Sequence, residues 1–338
     1  MERVFADHQI MKFKIAITTA VIWMTSVFST QAQDLGGDMT LHRLILPDAK
    51  WEVVAEGLGF ADAPTSDEKG NFYFCDMRST PPVVWKVAPD SKKTKLIDGI
   101  AVSGMKFGPD GRLYACAGAG KEKHIAAFEL PSGKKTVLAE NVAPNDLVVT
   151  HKGFIYFTET GKKQVTFLNI STKELKPADV GHVTAPNGIA LSPDQRTLAV
   201  SDSRGKFVWA YCIQPDGSLT PAVPYMTMRT EVDQNAKSPD GRTPVYQVVS
   251  RGDGMSTDLY GRYYVSSAMG VQVFDPTGRE CGLLPKPYDK SMTSVHIGGP
   301  NGEYMYVTQQ DKVLRRKSNV KSFYPWLGPV EAIPLPVK

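Results

Sequence analysis

Cysteine is scarce: there are four in 338 residues, with no Cys-x-x-Cys pair and no Cys/His cluster. That excludes a disulfide framework and a thiolate zinc site. Cys75 and Cys116 sit in strand-like runs and read as buried thiols, whereas a Cys212–Cys281 bridge stays open. Charge of one sign is scarce too. The formal net charge is only +4 and is spread along the chain, so no nucleic-acid surface follows. Heptads are absent, and 42% hydrophobic residues exclude disorder and collagen-like chains. No apolar run reaches the roughly 20 residues needed to span a bilayer. The nearest approach is residues 15–28, which are uncharged and mostly apolar.

That run has Lys12 and Lys14 before it and the small residues Thr30 and Ala32 after it. Basic start, short apolar stretch and small-residue exit are the parts of a secretory signal peptide. Met11 is the natural initiator, and residues 1–10 read as a start-site extension. The expectation is an exported protein, periplasmic or secreted, cleaved near Ala32, with no membrane association afterwards. Residues 33–338 remain as a single domain. The pattern specifies no oligomeric state.

What is abundant is punctuation: 29 glycines and 24 prolines along the whole chain. They delimit many short strands rather than long helices. A turn followed by an aromatic-bearing strand recurs at Gly70, Gly111, Gly153, Gln195, Gly261 and Gly302. The steps are 41, 42, 42, 66 and 41 residues. Units of this length holding four short strands are the blades of a β-propeller. The fold expected is therefore all-β, a six-bladed propeller with four-stranded blades. Residues 39–46 and 51–55 are strand-like and would supply outer strands of the last blade, closing the ring. The long step carries an insertion, residues 225–246, expected over the mouth or at a subunit contact.

Eight residues before each aligned turn stands the start of the innermost strand. The six residues there are Asp62, Ser103, Asn145, Asn187, Asp253 and Ser294. All are small and oxygen-bearing. Inner strands of a propeller run the same way, so these side chains should gather at one mouth of the tunnel. Asx residues also make local turns at strand ends, but that does not account for one shared offset. Two carboxylates and two amides aimed at one point call for a cation. Asp62, Asn145, Asn187 and Asp253 form an oxygen-only set that suits Ca²⁺ first, with Mg²⁺ or Mn²⁺ as alternatives and Zn²⁺ less natural. Ser103, Ser294 and His296 would face a substrate at the same mouth. Arg78 is a further candidate there, a basic group for an anionic or polyhydroxylated ligand.

The runs Glu56-Gly57-Leu58-Gly59-Phe60-Ala61-Asp62-Ala63-Pro64, Pro144-Asn145-Asp146-Leu147, Ala185-Pro186-Asn187-Gly188-Ile189-Ala190 and Gly252-Asp253-Gly254-Met255 occur in order within this repeat. In them the sequence resembles the SMP-30/gluconolactonase family of six-bladed propellers, over about residues 50 to 317. The resemblance implies a divalent metal at the tunnel mouth, with Asn187 and Asp253 as two of its ligands. It further implies that Asn145 helps hold substrate or metal and that Asp253 is the general base. Asp62 stands where the family usually has Glu. Thr293-Ser294-Val295-His296 and Phe157-Thr158-Glu159-Thr160 also depart from family runs.

The function expected is metal-dependent hydrolysis of lactones, sugar-derived ones first, with the metal polarising the carbonyl and Asp253 as base. A small-molecule lactone or sugar acid is the partner. The alternative is a non-catalytic propeller that binds sugar acids or proteins, with a structural Ca²⁺ ion.

Overall fold

One backbone conformation sets the repeated turn. At the six aligned positions φ is positive, between 55° and 80°. Glycine enters this left-handed region without steric cost, which accounts for five of the six residues. Asp67, Asp110 and Asp258 beside three of these turns accept the hydroxyls of Tyr73, Tyr114 and Tyr264 at 2.8 Å each. The recurrent aromatic thus packs its ring in the sheet and ties its polar end to the turn.

The computed structural model describes residues 33–34 and 40–331. They fall in the second of two units, Ala32–Lys338. The expected signal peptide and its cleavage position lie outside the described residues.

The strands are antiparallel and form an all-β propeller. Three sheets have four strands each. The first holds Val102–Phe107, Leu113–Ala117, His124–Phe128 and Lys135–Ala139. The second holds Leu147–Val149, Phe154–Glu159, Gln164–Asn169 and Leu175–Val180, and the third Pro186–Leu191, Thr197–Asp202, Phe207–Cys212 and Val223–Thr227. A fourth sheet runs Met255–Thr257, Tyr263–Ser266, Gly270–Phe274, Glu280–Pro285, with Gln33–Asp34 added at its edge.

The fifth sheet corrects the expected count of six separate blades. Its six strands are Ser294–Gly298, Tyr304–Lys317, Glu52–Ser66, Phe72–Asp76, Val83–Val87 and Lys93–Asp98. The reason is strand length. Glu52–Ser66 is 15 residues long. Its first part pairs with Lys312–Arg315 and its last part with Phe72–Asp76. The first and last repeats therefore share hydrogen bonds through one strand, and the strands form five sheets. The inner strands still neighbour one another in a closed ring, from Glu52–Ser66 through Val102–Phe107, Leu147–Val149, Pro186–Leu191 and Met255–Thr257 to Ser294–Gly298 and back.

The closing role expected for residues 51–55 holds, since these residues cover the edge of Tyr304–Lys317. Residues 39–46 differ: Thr40–Leu44 is a short helix. Leu41 and Leu44 lie on one helical face and bury against Tyr264, Val271 and Val295, and that spacing outweighed the strand-like composition. The core is divided into clusters between facing sheets. Cys75 lies with Tyr73, Met105 and Leu113, and Cys116 with Tyr114, Leu147 and Phe157. Both thiols are buried as expected. No disulfide joins Cys212 to Cys281 among the described residues.

Candidate functional site

Hydroxyls stitch four of the inner strands to the neighbouring repeat. Ser103 Oγ donates to the Asn145 carbonyl at 2.7 Å, and Thr158 Oγ1 to the Asn187 carbonyl at 2.6 Å. Ser201 Oγ donates to the Asp253 carbonyl at 2.9 Å, and Thr293 Oγ1 to the Ala61 carbonyl at 2.8 Å. Ser266 Oγ donates instead to the Gly254 carbonyl at 2.8 Å, within its own sheet. Each bond occupies a backbone oxygen at the start of an inner strand. The side chains there are left to face the axis.

A second layer holds the approaches. Asp76, Glu159 and Asp202 each end the strand paired with an inner strand. Asp76 accepts the N–H groups of Gly59 and Phe60 at 3.0 Å each. Glu159 accepts Ala143 N–H at 2.7 Å, and Asp202 accepts those of Thr184 and Ala185 at 2.9 and 3.0 Å. A carboxylate accepting backbone N–H groups makes strong, charge-assisted bonds. The three segments leading to Asp62, Asn145 and Asn187 are thereby fixed.

The result is one small cavity that all six expected ring residues line: Asp62, Ser103, Asn145, Asn187, Asp253 and Ser294. Lys106, Asp146 and Thr293 line it with them. Glycines bring the backbone close here. A Cβ on Gly254 would lie 2.0 Å from Ser294 Oγ, and one on Gly188 would lie 2.2 Å from the Asp253 carbonyl.

Not every expected site residue is at this cavity. Ser103 lines it, but its hydroxyl proton is committed to Asn145. His296 is two residues beyond Ser294 along the strand and is buried deeper in the tunnel. Its Nε2 is 2.7 Å from Ser66 Oγ, and burial, with the Lys106 charge nearby, pushes the imidazole well below its ordinary pKa. The strand's two-residue period turns His296 to the axis but sets it below the mouth. Arg78 is exposed and stacks over the Phe60 ring at 4.5 Å instead of lining the cavity. No residue of the insertion lines the cavity either. The insertion returns as a hairpin-like excursion, with a bridge between Val232 and Tyr246, anchored on the fourth sheet by Arg229, which pairs with Glu280 at 2.7 Å.

The electrostatics are those of crowded acids. Burial raises the Asp62 carboxyl to about 7, and the Asp146 charge adds to it. Burial also drives Asp253 well above the ordinary carboxylate range, with Asp62 as the neighbouring like charge. Asp146 is raised by burial and held back by Lys106. Two acids with strongly raised pKa values mark a site short of positive charge. Among the described residues no group of three His, Cys, Asp or Glu side chains is placed to hold a metal. The amides of Asn145 and Asn187 must complete any ligand set, and two carboxylates with two amides fit a hard divalent cation.

Lys106, Asp146 and the stitching role of the hydroxyls escaped the sequence reading. A signal existed for Lys106. Five residues before the aligned turns stand Thr65, Lys106, Val148, Ala190, Ser256 and Ile297. Lys106 is the one charge in that row.

The family model for the SMP-30/gluconolactonase/LRE-like region matches residues 60–311. A gluconolactonase of Zymomonas mobilis is 24% identical over 305 residues, covering 78% of this chain and 80% of that protein. Among solved structures, a gluconolactonase from Xanthomonas campestris superposes with a TM-score of 0.67 at 21% identity, over 85% of this chain and 94% of the other. A calcium-binding regucalcin from Agrobacterium tumefaciens gives 0.63 at 15% identity, over 82% and 97%. The match spans the repeats that carry all six ring positions, and the chain belongs to the SMP-30/gluconolactonase/LRE-like family.

Proposed function

We propose that the chain is a divalent-cation-dependent lactonase acting on sugar-derived lactones. The observation that carries this reading is the convergence of Asp62, Asn145, Asn187 and Asp253 on one cavity in a chain of this family. Asp62, Asn187 and Asp253, with Asn145 beside them, would hold the cation, Ca²⁺ first. When bound, it supplies electrophilic polarisation of the ring carbonyl.

The protein's own groups do the rest. The Asn145 amide orients the substrate's ring oxygens, and Ser294 adds a polar wall. Asp253 takes a proton from the attacking water as the new C–O bond forms. When the ring C–O bond breaks, that proton passes to the leaving alkoxide and yields the hydroxy acid. Burial raises the Asp253 pKa above the ordinary carboxylate range, the direction that makes it the stronger base.

The test is acid release on a pH-stat over a panel of aldono- and alkyl-lactones, with and without chelator. Chelator-sensitive release of acid is expected. Ligand-induced thermal stabilisation with no turnover on any lactone would replace the reading with a sugar-acid-binding propeller. We also propose export with cleavage near Ala32. N-terminal sequencing of the protein from culture fractions checks this, and an intact Met11 start would overturn it.

A further inference from the structure

Below the ring the tunnel continues into a second chamber. Thr65, Lys106, Ser256, Thr257 and His296 contribute its polar groups. Val148, Ile189, Leu191 and Met255 contribute apolar wall, and residues 323–326 border it. Lys106 is common to this chamber and to the cavity above. It stands on Val102–Phe107, three residues after Ser103, because the pairing shifts between Val102 and Gly104. The shift turns Lys106 to the axis.

Lys106 is half-buried, and a partly buried ammonium is costly unless its charge is compensated. The Lys106 ammonium donates to the Pro64 carbonyl at 3.3 Å, long for a hydrogen bond of this kind. His296 below gives no compensation, since an imidazole is neutral or cationic and never negative. What remains is the acidic ring above, and the Lys106 charge acts on both Asp62 and Asp146.

We propose that Lys106 is a built-in counter-cation of the acidic ring, competing with a divalent cation for the field of Asp62 and Asp146 and keeping the ring assembled when the cation has left. This rests on the divalent-cation reading above. The lysine stem is flexible and its head is a compact point charge. It can follow the ring's charge without acting as a ligand. Site affinity is thereby set lower than the carboxylates alone would give, and the metal-free ring keeps a compensating charge.

The experiment is Ca²⁺ titration by calorimetry, with thermal melts in chelator and in excess Ca²⁺, on wild type, Lys106→Met and Lys106→Arg. Lys106→Met should bind Ca²⁺ at least about tenfold more tightly, the scale of one unit charge removed from a partly buried site. It should melt below wild type in chelator and recover in Ca²⁺. Lys106→Arg, which keeps the charge, should stay close to wild type in both. Equal or weaker Ca²⁺ binding by Lys106→Met, or an unchanged melt in chelator, would overturn the proposal and leave the cation reading standing. Absence of Ca²⁺ binding in all three proteins would instead overturn the cation reading and the proposal with it. Should Lys106→Met fail to fold, Lys106→Gln carries the same comparison with a polar neutral head.

Discussion

At the residue scale, the ring positions are alike in offset but not in role. Asp253 brings a buried carboxyl to the cavity, whereas Ser103 spends its hydroxyl on the Asn145 carbonyl. Asp253→Asn keeps size and one oxygen but loses the charge. Turnover on a hydrolysed lactone should fall by about 10² or more, the usual scale for a lost general base. Steady-state kinetics beside a wild-type control checks this, and comparable activity would remove Asp253 as base. Glu159 offers a test in acid. Burial acts to raise its pKa, but Lys162, Thr166 and the Ala143 N–H outweigh burial and hold it below 4.5. A depressed folded pKa contributes stability above the unfolded value, lost as pH falls through the folded one. Glu159→Gln should therefore lower the melting temperature at neutral pH, and the gap to wild type should close below about pH 4.5. A gap that persists unchanged in acid would deny the carboxylate this role.

At the element scale, the hydroxyl stitches and the carboxylate-held approaches are what make register precise enough for a site. Thr158 illustrates it. Its Oγ1 donates to the Asn187 carbonyl and accepts from Asp146 N–H. Thr158→Val keeps the shape and leaves both groups unsatisfied, which should cost about 1–3 kcal/mol. Denaturant unfolding with an unchanged m-value reads this, and a change under half a kcal/mol would mean that the stitch carries no stability. The insertion behaves differently. Asp240 is bonded to Ser238, Arg242 and Thr243 within the loop itself. Replacing residues 235–242 by two glycines should leave kcat/KM and the melting temperature close to wild type. A tenfold loss of kcat/KM would place the loop over the mouth after all.

At the scale of the whole molecule, closure depends on one strand. Glu52–Ser66 covers the edge of Tyr304–Lys317 and then continues as the inner strand that carries Asp62. Ala55 and Val313 from the two sides bury with Phe72, Phe74 and Tyr306. A chain beginning at Gly57 would expose the edge at Lys312–Arg315 and lose that packing. Open edges template association, so this truncation should be polydisperse by light scattering where the chain from Gln33 is not. A monodisperse, cooperatively melting truncation would show that the ring closes without the strand.

The repeat of about 42 residues, its αL turn and its single offset are local properties of the chain, and they were readable for local reasons. A positive φ selects glycine, strand period selects alternation, and a shared offset selects the six oxygen-bearing residues. The family runs added expected roles for Asn145, Asn187 and Asp253. Other features depend on partners remote in sequence. The union of the first and last repeats in one sheet required pairing across more than 250 residues, as between Glu52 and Arg315. The depth of His296 and the outward stacking of Arg78 depend on how far each strand reaches along the axis. In the sequence Lys106 is only the one charge in its aligned row. Only the closed ring, which places it beneath three carboxylates and above an apolar chamber, makes its charge count, because burial by other strands is what strengthens a charge–charge interaction.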